Sequence, residues 1–184
     1  MNFLKNFFSQ WYKYVLWALM SVFFWGWIFT LHADARPAHK LVLCVDRPEV
    51  RDEAMAEALS RELPKGIRLA AVHPFDYYIF STDELLNADL YIVGEDSAAK
   101  YIESFLPLGE TGLDPAGRPV WSQDGVAYGL LICKAGGEGA AASYIDYLDA
   151  SSPPQNYYLF FGVNSVHQSD GAQLWLAQRV LSLP

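Results

Sequence analysis

The sequence predicts an α/β protein: a three-layer domain with a mixed, mostly parallel sheet, carried behind one N-terminal transmembrane helix. Three observations predict it. Tyr14 to Leu31 (YVLWALMSVFFWGWIFTL) is a run of eighteen residues without a formal charge, about 27 Å as a helix and close to the hydrocarbon thickness of a bilayer. Beyond it, short unbroken apolar runs alternate with helical patterns, as in a β-α-β opening. Farther on, an Asp-Gly pair between two strand-like segments marks a β-hairpin.

The chain divides accordingly into a cytoplasmic N-terminus (1–13), a signal-anchor helix (14–32), a linker (33–39) and an extracytoplasmic domain (40–184). Only Ser21 and Thr30 interrupt the apolar run, whereas a core helix carries a polar stripe. Trp11, Tyr12 and Tyr14 at one end and Trp25 and Trp27 toward the other suit headgroup regions. Lys5 and Lys13 precede the helix with no acidic residue among the first thirteen, which places the N-terminus in the cytoplasm; Arg36 and Lys40 on the other flank oppose this. Ala33-Asp34-Ala35 has the form of a signal-peptidase site, so secretion after cleavage at Ala35 is the alternative to a retained anchor. The length and bulk of the run favour the anchor.

Of the 13 basic and 21 acidic side chains, residues 1–35 hold only Lys5, Lys13 and Asp34, which leaves 11 and 20 in the remainder, a net of −9. A domain this acidic has no electrostatic footprint for nucleic acid. Cys44 and Cys133 both fall in apolar strand-like runs, where buried free thiols are favoured over a disulfide.

In order, Lys40 to Val45 (KLVLCV) reads as a strand covered on both faces. Asp46 and Pro48 are placed to cap and open a helix whose inner face is Val50, Ala54, Ala58, Leu59 and Leu63, and Pro64-Lys65-Gly66 stops it. A second strand follows at Ile67 to Val72, then a loop with a short helix over Thr82 to Leu86. Leu90 to Val93 is a third strand, Ser97 to Phe105 a short helix, and residues 107–119 a long loop. Val120 to Ser122 and Val126 to Cys133 form the hairpin around Asp124-Gly125. A Gly-rich connection leads to a helix over Ala140 to Leu148, Tyr157 to Val163 is a strand, and Asp170 to Leu183 is an amphipathic helix with Leu174, Ala177, Val180 and Leu181 inward.

No catalytic set emerges. His32, His39, His73 and His167 lack metal-ligand spacing, and neither cysteine has a C-x-x-C partner, so no metal or cofactor is expected. Gly137-Glu138-Gly139-Ala140-Ala141-Ala142 matches G-x-G-x-x-A, but the following strand ends at Val163-Asn164 without the acidic residue a dinucleotide fold uses for ribose. Ser122, Ser143 and Ser165 lack a nucleophile-elbow context. The candidate ligand-binding residues lie where the parallel strands end: Asp46 and Arg47 after the first, Tyr77 and Tyr78 after the second, Glu95 and Asp96 after the third. Open α/β sheets bind their ligands at that edge. Capping by Asp46 and a tyrosine-rich surface loop account for the same residues without a ligand.

Several segments, KLVLCVDRPEV, GIRLAAV, NADLYIVGED with SAAKYIESFLPL, GRPVWSQDGVAYGLLI and YYLFFGVNSVHQSDGAQLWLAQRVL, resemble in order the extracellular solute-binding proteins of ABC importers, the type II periplasmic-binding fold. The resemblance runs over residues 40–184 in pieces. It implies one lobe of that fold, a non-enzymatic module that binds a small solute, and a membrane-protein partner such as a permease. The competing expectation is a structural or assembly protein whose domain binds no ligand.

Overall fold

The computed structural model describes residues 11–33, 35–47, 50–74, 86–145 and 154–184, with side chains of the first helix described as far as Ile28. The chain forms two compact units, Met1–Arg36 and Pro37–Pro184.

The first unit holds α1, Trp11–Ala33. Its apolar side chains are exposed around the whole circumference, Trp17 and Val22 as fully as Phe23 and Trp25. Among the described residues no helix is long and apolar enough to cross a membrane. The described side chains of α1 include Lys13 and stop short of residues 29–31, the last part of the apolar run.

The second unit is a mixed α/β domain. A 3₁₀ turn, Pro37–His39, leads into β1, Lys40–Val45. Then come α2, Asp52–Ser60; β2, Leu69–Pro74; β3, Leu90–Gly94; and α3, Glu95–Ala98, continued by a 3₁₀ segment, Ala99–Ser104. The rest is β4, Phe105–Leu106; α4, Leu108–Thr111; β5, Val120–Gln123; β6, Val126–Cys133; β7, Tyr157–Gly162; and α5, Ala172–Leu181.

The strands form one sheet in the order β2-β1-β3-β7-β6-β5, with β4 on β7. β1 runs parallel to β2 and β3; β7, β6, β5 and β4 join antiparallel. All six residues of β1 are buried, as an unbroken apolar run requires when both faces are covered. On one face Leu41, Leu43, Leu90, Ile92, Leu159 and Phe161 pack with Met55 and Leu59 of α2 and Leu176, Ala177 and Val180 of α5. On the other Val42, Cys44, Tyr91, Val93, Tyr158 and Phe160 pack with Ala98 and Phe105. Phe105 stacks on Phe160 with ring centroids 4.2 Å apart, and a Cβ at Gly129 would run into the Phe160 ring. Helices on both sides of a sheet make the three layers.

The hairpin turns at Asp124 (φ 53°) and Gly125 (φ 80°), the two positive φ angles of a type I′ turn. Both cysteines are buried and neither forms a disulfide.

Several boundaries differ from the sequence reading. Asp46 does not cap the helix after β1: α2 starts six residues later, with Arg51 at its N-cap and Asp52 and Glu53 in its first turn. β2 starts at Leu69 because the amides of Ile67 and Arg68 are committed to the carbonyls of Pro64 and His39. Residues 97–105 are not one helix, since Phe105 extends and pairs with Gly162. Within residues 107–119 the chain makes the single turn α4. The stretch from Ala140 to Ile145 is a series of turns rather than a helix, with Ala141 at φ 58°; residues 146–148 of that expected helix lie outside the described residues, as do residues 82–85 of the short helix expected before β3. In α5 the fully buried leucine is Leu176, while Leu174 and Leu181 are half-buried.

Candidate functional site

The carboxyl ends of β1 and β3 and the start of β7 meet at one sheet edge, where Gly94 pairs with Tyr157. Four of the six sequence-predicted site residues lie there: Asp46, Arg47, Glu95 and Asp96. Tyr77 and Tyr78 lie outside the described residues.

Arg47 is 3% exposed. Its Nε–H donates to the Tyr157 hydroxyl at 2.6 Å, and its guanidinium lies 5.7 Å from the centroid of that ring, within cation–π range. Asp46, half-buried beside it, accepts hydrogen bonds from the Ser97 hydroxyl and the Gly94 amide. Burial raises its pKa above the ordinary carboxylate value, and those bonds together with the charges of Lys100 and Arg47 offset this only in part.

Glu95 and Asp96 are exposed in the first turn of α3. Glu95 accepts from Asn156 Nδ2 at 2.8 Å, and its amide donates to the Asn156 carbonyl at 2.9 Å. The Asp96 amide donates to Gln155 Oε1 at 3.3 Å, and Gln155 Nε2 donates to the Tyr157 hydroxyl at 3.4 Å. Burial and the Glu95 charge raise the pKa of the Tyr158 hydroxyl. The end of the Gln155 side chain lies directly against Gly94, where a Cβ would push it aside.

This edge therefore combines a buried cation, a half-buried carboxylate and two exposed carboxylates. Sequence reasoning missed Gln155, Asn156 and Tyr157, which reach Asp96, Glu95 and Arg47 in turn across 59 to 110 residues of chain. The only local signal was the polar pair Gln155-Asn156 directly before a strand.

Five of the six buried polar or charged residues among those described, Lys40, Asp89, Ser165, His167 and Gln173, belong to the opposite, amino edge. Asp89, 2% exposed, accepts from the Val42 amide at 2.7 Å and from the Ser165 hydroxyl. Gln173 Nε2 donates to the Asp89 and Gly162 carbonyls at 2.7 and 3.2 Å. His167 donates its backbone amide to Ser165 Oγ at 3.0 Å, while its ring faces Asp170 and the carbonyls of Pro37 and Lys40. Serine, histidine and aspartate thus meet, but the serine hydroxyl bonds a carboxylate and the imidazole looks elsewhere. A nucleophile–base pair needs the opposite arrangement. The network ties β1, β3, β7 and α5 together.

A cleft of about 310 Å³ lies near the same edge, lined by residues that include Leu106, Glu110, Thr111, Gln168 and Gln173. Most of its polar side chains are already engaged. Thr111 Oγ1 donates to the Leu108 carbonyl and accepts from the Leu113 amide, and the amides of Gln168 and Gln173 donate to backbone carbonyls. Among the described residues no group of three or more His, Cys, Asp or Glu could hold a metal ion.

The G-x-G-x-x-A match is a compact loop. Lys134 donates to the Glu138 carbonyl, Cys133 bridges Gly139, and a Cβ at Gly139 would strike the Ile132 carbonyl. Glycine is needed there for packing against β6, and Ala141 in the left-handed region breaks the helix that would have to receive a pyrophosphate.

The chain matches no protein-family model, no curated protein and no solved structure.

Proposed function

We propose that this protein is a membrane-anchored, non-enzymatic module whose extracytoplasmic domain recognises a small polar solute, or the polar surface of a membrane-protein partner such as a permease, at the carboxyl edge of its sheet. One observation carries the recognition half. A carboxyl that burial holds above its ordinary pKa, Asp46, sits beside the buried Arg47 where the parallel strands end. Polar groups kept at a cost to stability at such an edge favour a binding role. The bare apolar circumference of α1 and the eighteen-residue run 14–31 support the anchor.

A second reading is favoured by the same residues. Arg47 is bonded to Tyr157 and Glu95 to Asn156, as in an assembly domain that closes its own edge and takes no ligand.

Two experiments test these readings. In membrane fractionation the full chain resists carbonate extraction, and Phe23→Arg, which places a charge costing about 2.5–3.5 kcal/mol near the centre of the span, moves a substantial part into the soluble fraction. Release of the wild-type chain by carbonate rules out the anchor. In a thermal-shift screen of the full chain in detergent against sugars, amino acids and peptides, a stabilisation abolished by Asp46→Ala or Glu95→Ala supports recognition. A flat response across the panel supports the assembly reading.

A further inference from the structure

The geometry points to His167 as a proton-operated clasp that fastens the segment entering the domain, Pro37 to Lys40, to the amino edge of the sheet. The His167 side chain is 2% exposed. Its Nδ1 lies 2.7 Å from Asp170 Oδ2, and its Nε2 lies 3.2 Å from both the Pro37 and the Lys40 carbonyl oxygens. A carboxylate and two carbonyls only accept hydrogen bonds. Both ring nitrogens must therefore carry a proton, so the site is built for the imidazolium.

A neutral ring keeps one N–H, and its environment decides which. A bare Nδ1 would turn its lone pair on a carboxylate, the costlier loss, since bonds to charged groups are the stronger ones. The proton that leaves is the one on Nε2. Deprotonation thus spares the contact with Asp170 and releases the carbonyls of Pro37 and Lys40.

The charges acting on the ring are consistent with this. Burial alone pulls the His167 pKa down, but the bond to Asp170, the charges of Asp89 and Asp170 and the Pro37 carbonyl outweigh it, and the pKa lies above the ordinary value. Asp170 is correspondingly lowered, against its own desolvation. On the clasped segment the other ionisable side chains are His39, whose Nδ1 is bonded to the Gly66 carbonyl, and Lys40, which is buried. With the folded pKa above the unfolded one, the clasp is fully present below about pH 6.5 and is lost as pH rises through the folded pKa.

The test is hydrogen exchange across residues 36–41 in the full chain in detergent micelles from pH 5.5 to 9, corrected for intrinsic rates, with ¹⁵N spectra of the His167 ring. Protection should fall through a single step centred above pH 6.5, by roughly tenfold for each pKa unit that folding adds to the ring. Both ring nitrogens should be protonated below the step. In Asp170→Asn the step should move to lower pH, which a merely structural histidine would not produce. His167→Gln, which has donors on one atom only and does not titrate, should show weak protection at every pH. A flat wild-type profile, an unchanged step in His167→Gln, an unmoved step in Asp170→Asn, or an unprotonated ring nitrogen at pH 6 overturns the clasp.

Discussion

Asp89 shows how one side chain can hold distant parts of a fold. Its carboxylate takes the Val42 amide of β1 and the Ser165 hydroxyl beyond β7, at 2% exposure. Burial raises its pKa despite both bonds and the nearby His167 charge. Asp89→Ala strands a buried amide and a buried hydroxyl, each costing about 1–3 kcal/mol. Urea unfolding should show a loss of roughly 2–5 kcal/mol, with the slope of the transition unchanged. Asp46 is shifted in the same direction. Because its folded pKa is raised above 3.8, ionising it costs stability as pH rises from 3.8 through the folded value, and that penalty persists at neutral pH. Asp46→Asn should therefore melt a few degrees higher than wild type at pH 7 and lose that advantage at pH 3.5, as read by calorimetry. Asp46, Arg47, Glu95 and Asp96 were legible in the sequence because each directly follows an unbroken apolar run, which fixes where a strand ends. Tyr157 and His167 were not, since their partners lie 110 to 130 residues away and no local pattern encodes such a pairing.

Elements whose identity depends on local chemistry read most directly. β1 is six consecutive buried residues, and Asp124-Gly125 takes the two positive φ angles that its composition favours. Elements that depend on a distant partner do not. Phe105 looked like the end of a helix and instead pairs with Gly162. The alanine-rich stretch after Gly139 has strong helix propensity, yet the amides of Ala141 and Ser143 donate to the Leu183 and Pro184 carbonyls and the chain turns there. α2 is short, with one buried stripe, Met55, Ala58 and Leu59, so packing rather than propensity holds it. Leu59→Ala leaves a cavity under it and should cost about 2–5 kcal/mol in equilibrium unfolding. Exposed Glu57→Ala, on the outer side, breaks only a surface pair with Arg61 at 3.5 Å and should cost less than about 1 kcal/mol.

At the scale of the whole molecule the class was legible because apolar runs, a hairpin and amphipathic helices add up to one sheet with helices on both faces. The strand order was not. β7 comes last among the strands in sequence and stands between β3 and β6, an insertion that no periodicity announces. It makes β7 the seam of the fold: without it the parallel half, β2-β1-β3, and the hairpin β5-β6 share no ladder. Deleting residues 157–184 should abolish cooperative unfolding in calorimetry rather than lower the melting temperature by a few degrees, since β3, β4 and β6 would each lose a neighbour.

The position of β7 also sets a clock. Pairings that span the chain must wait for its last strand to be made, and contacts so far apart in sequence form slowly. The parallel half and the hairpin emerge from the ribosome with open edges, and the ladder that joins them waits for Tyr157–Gly162.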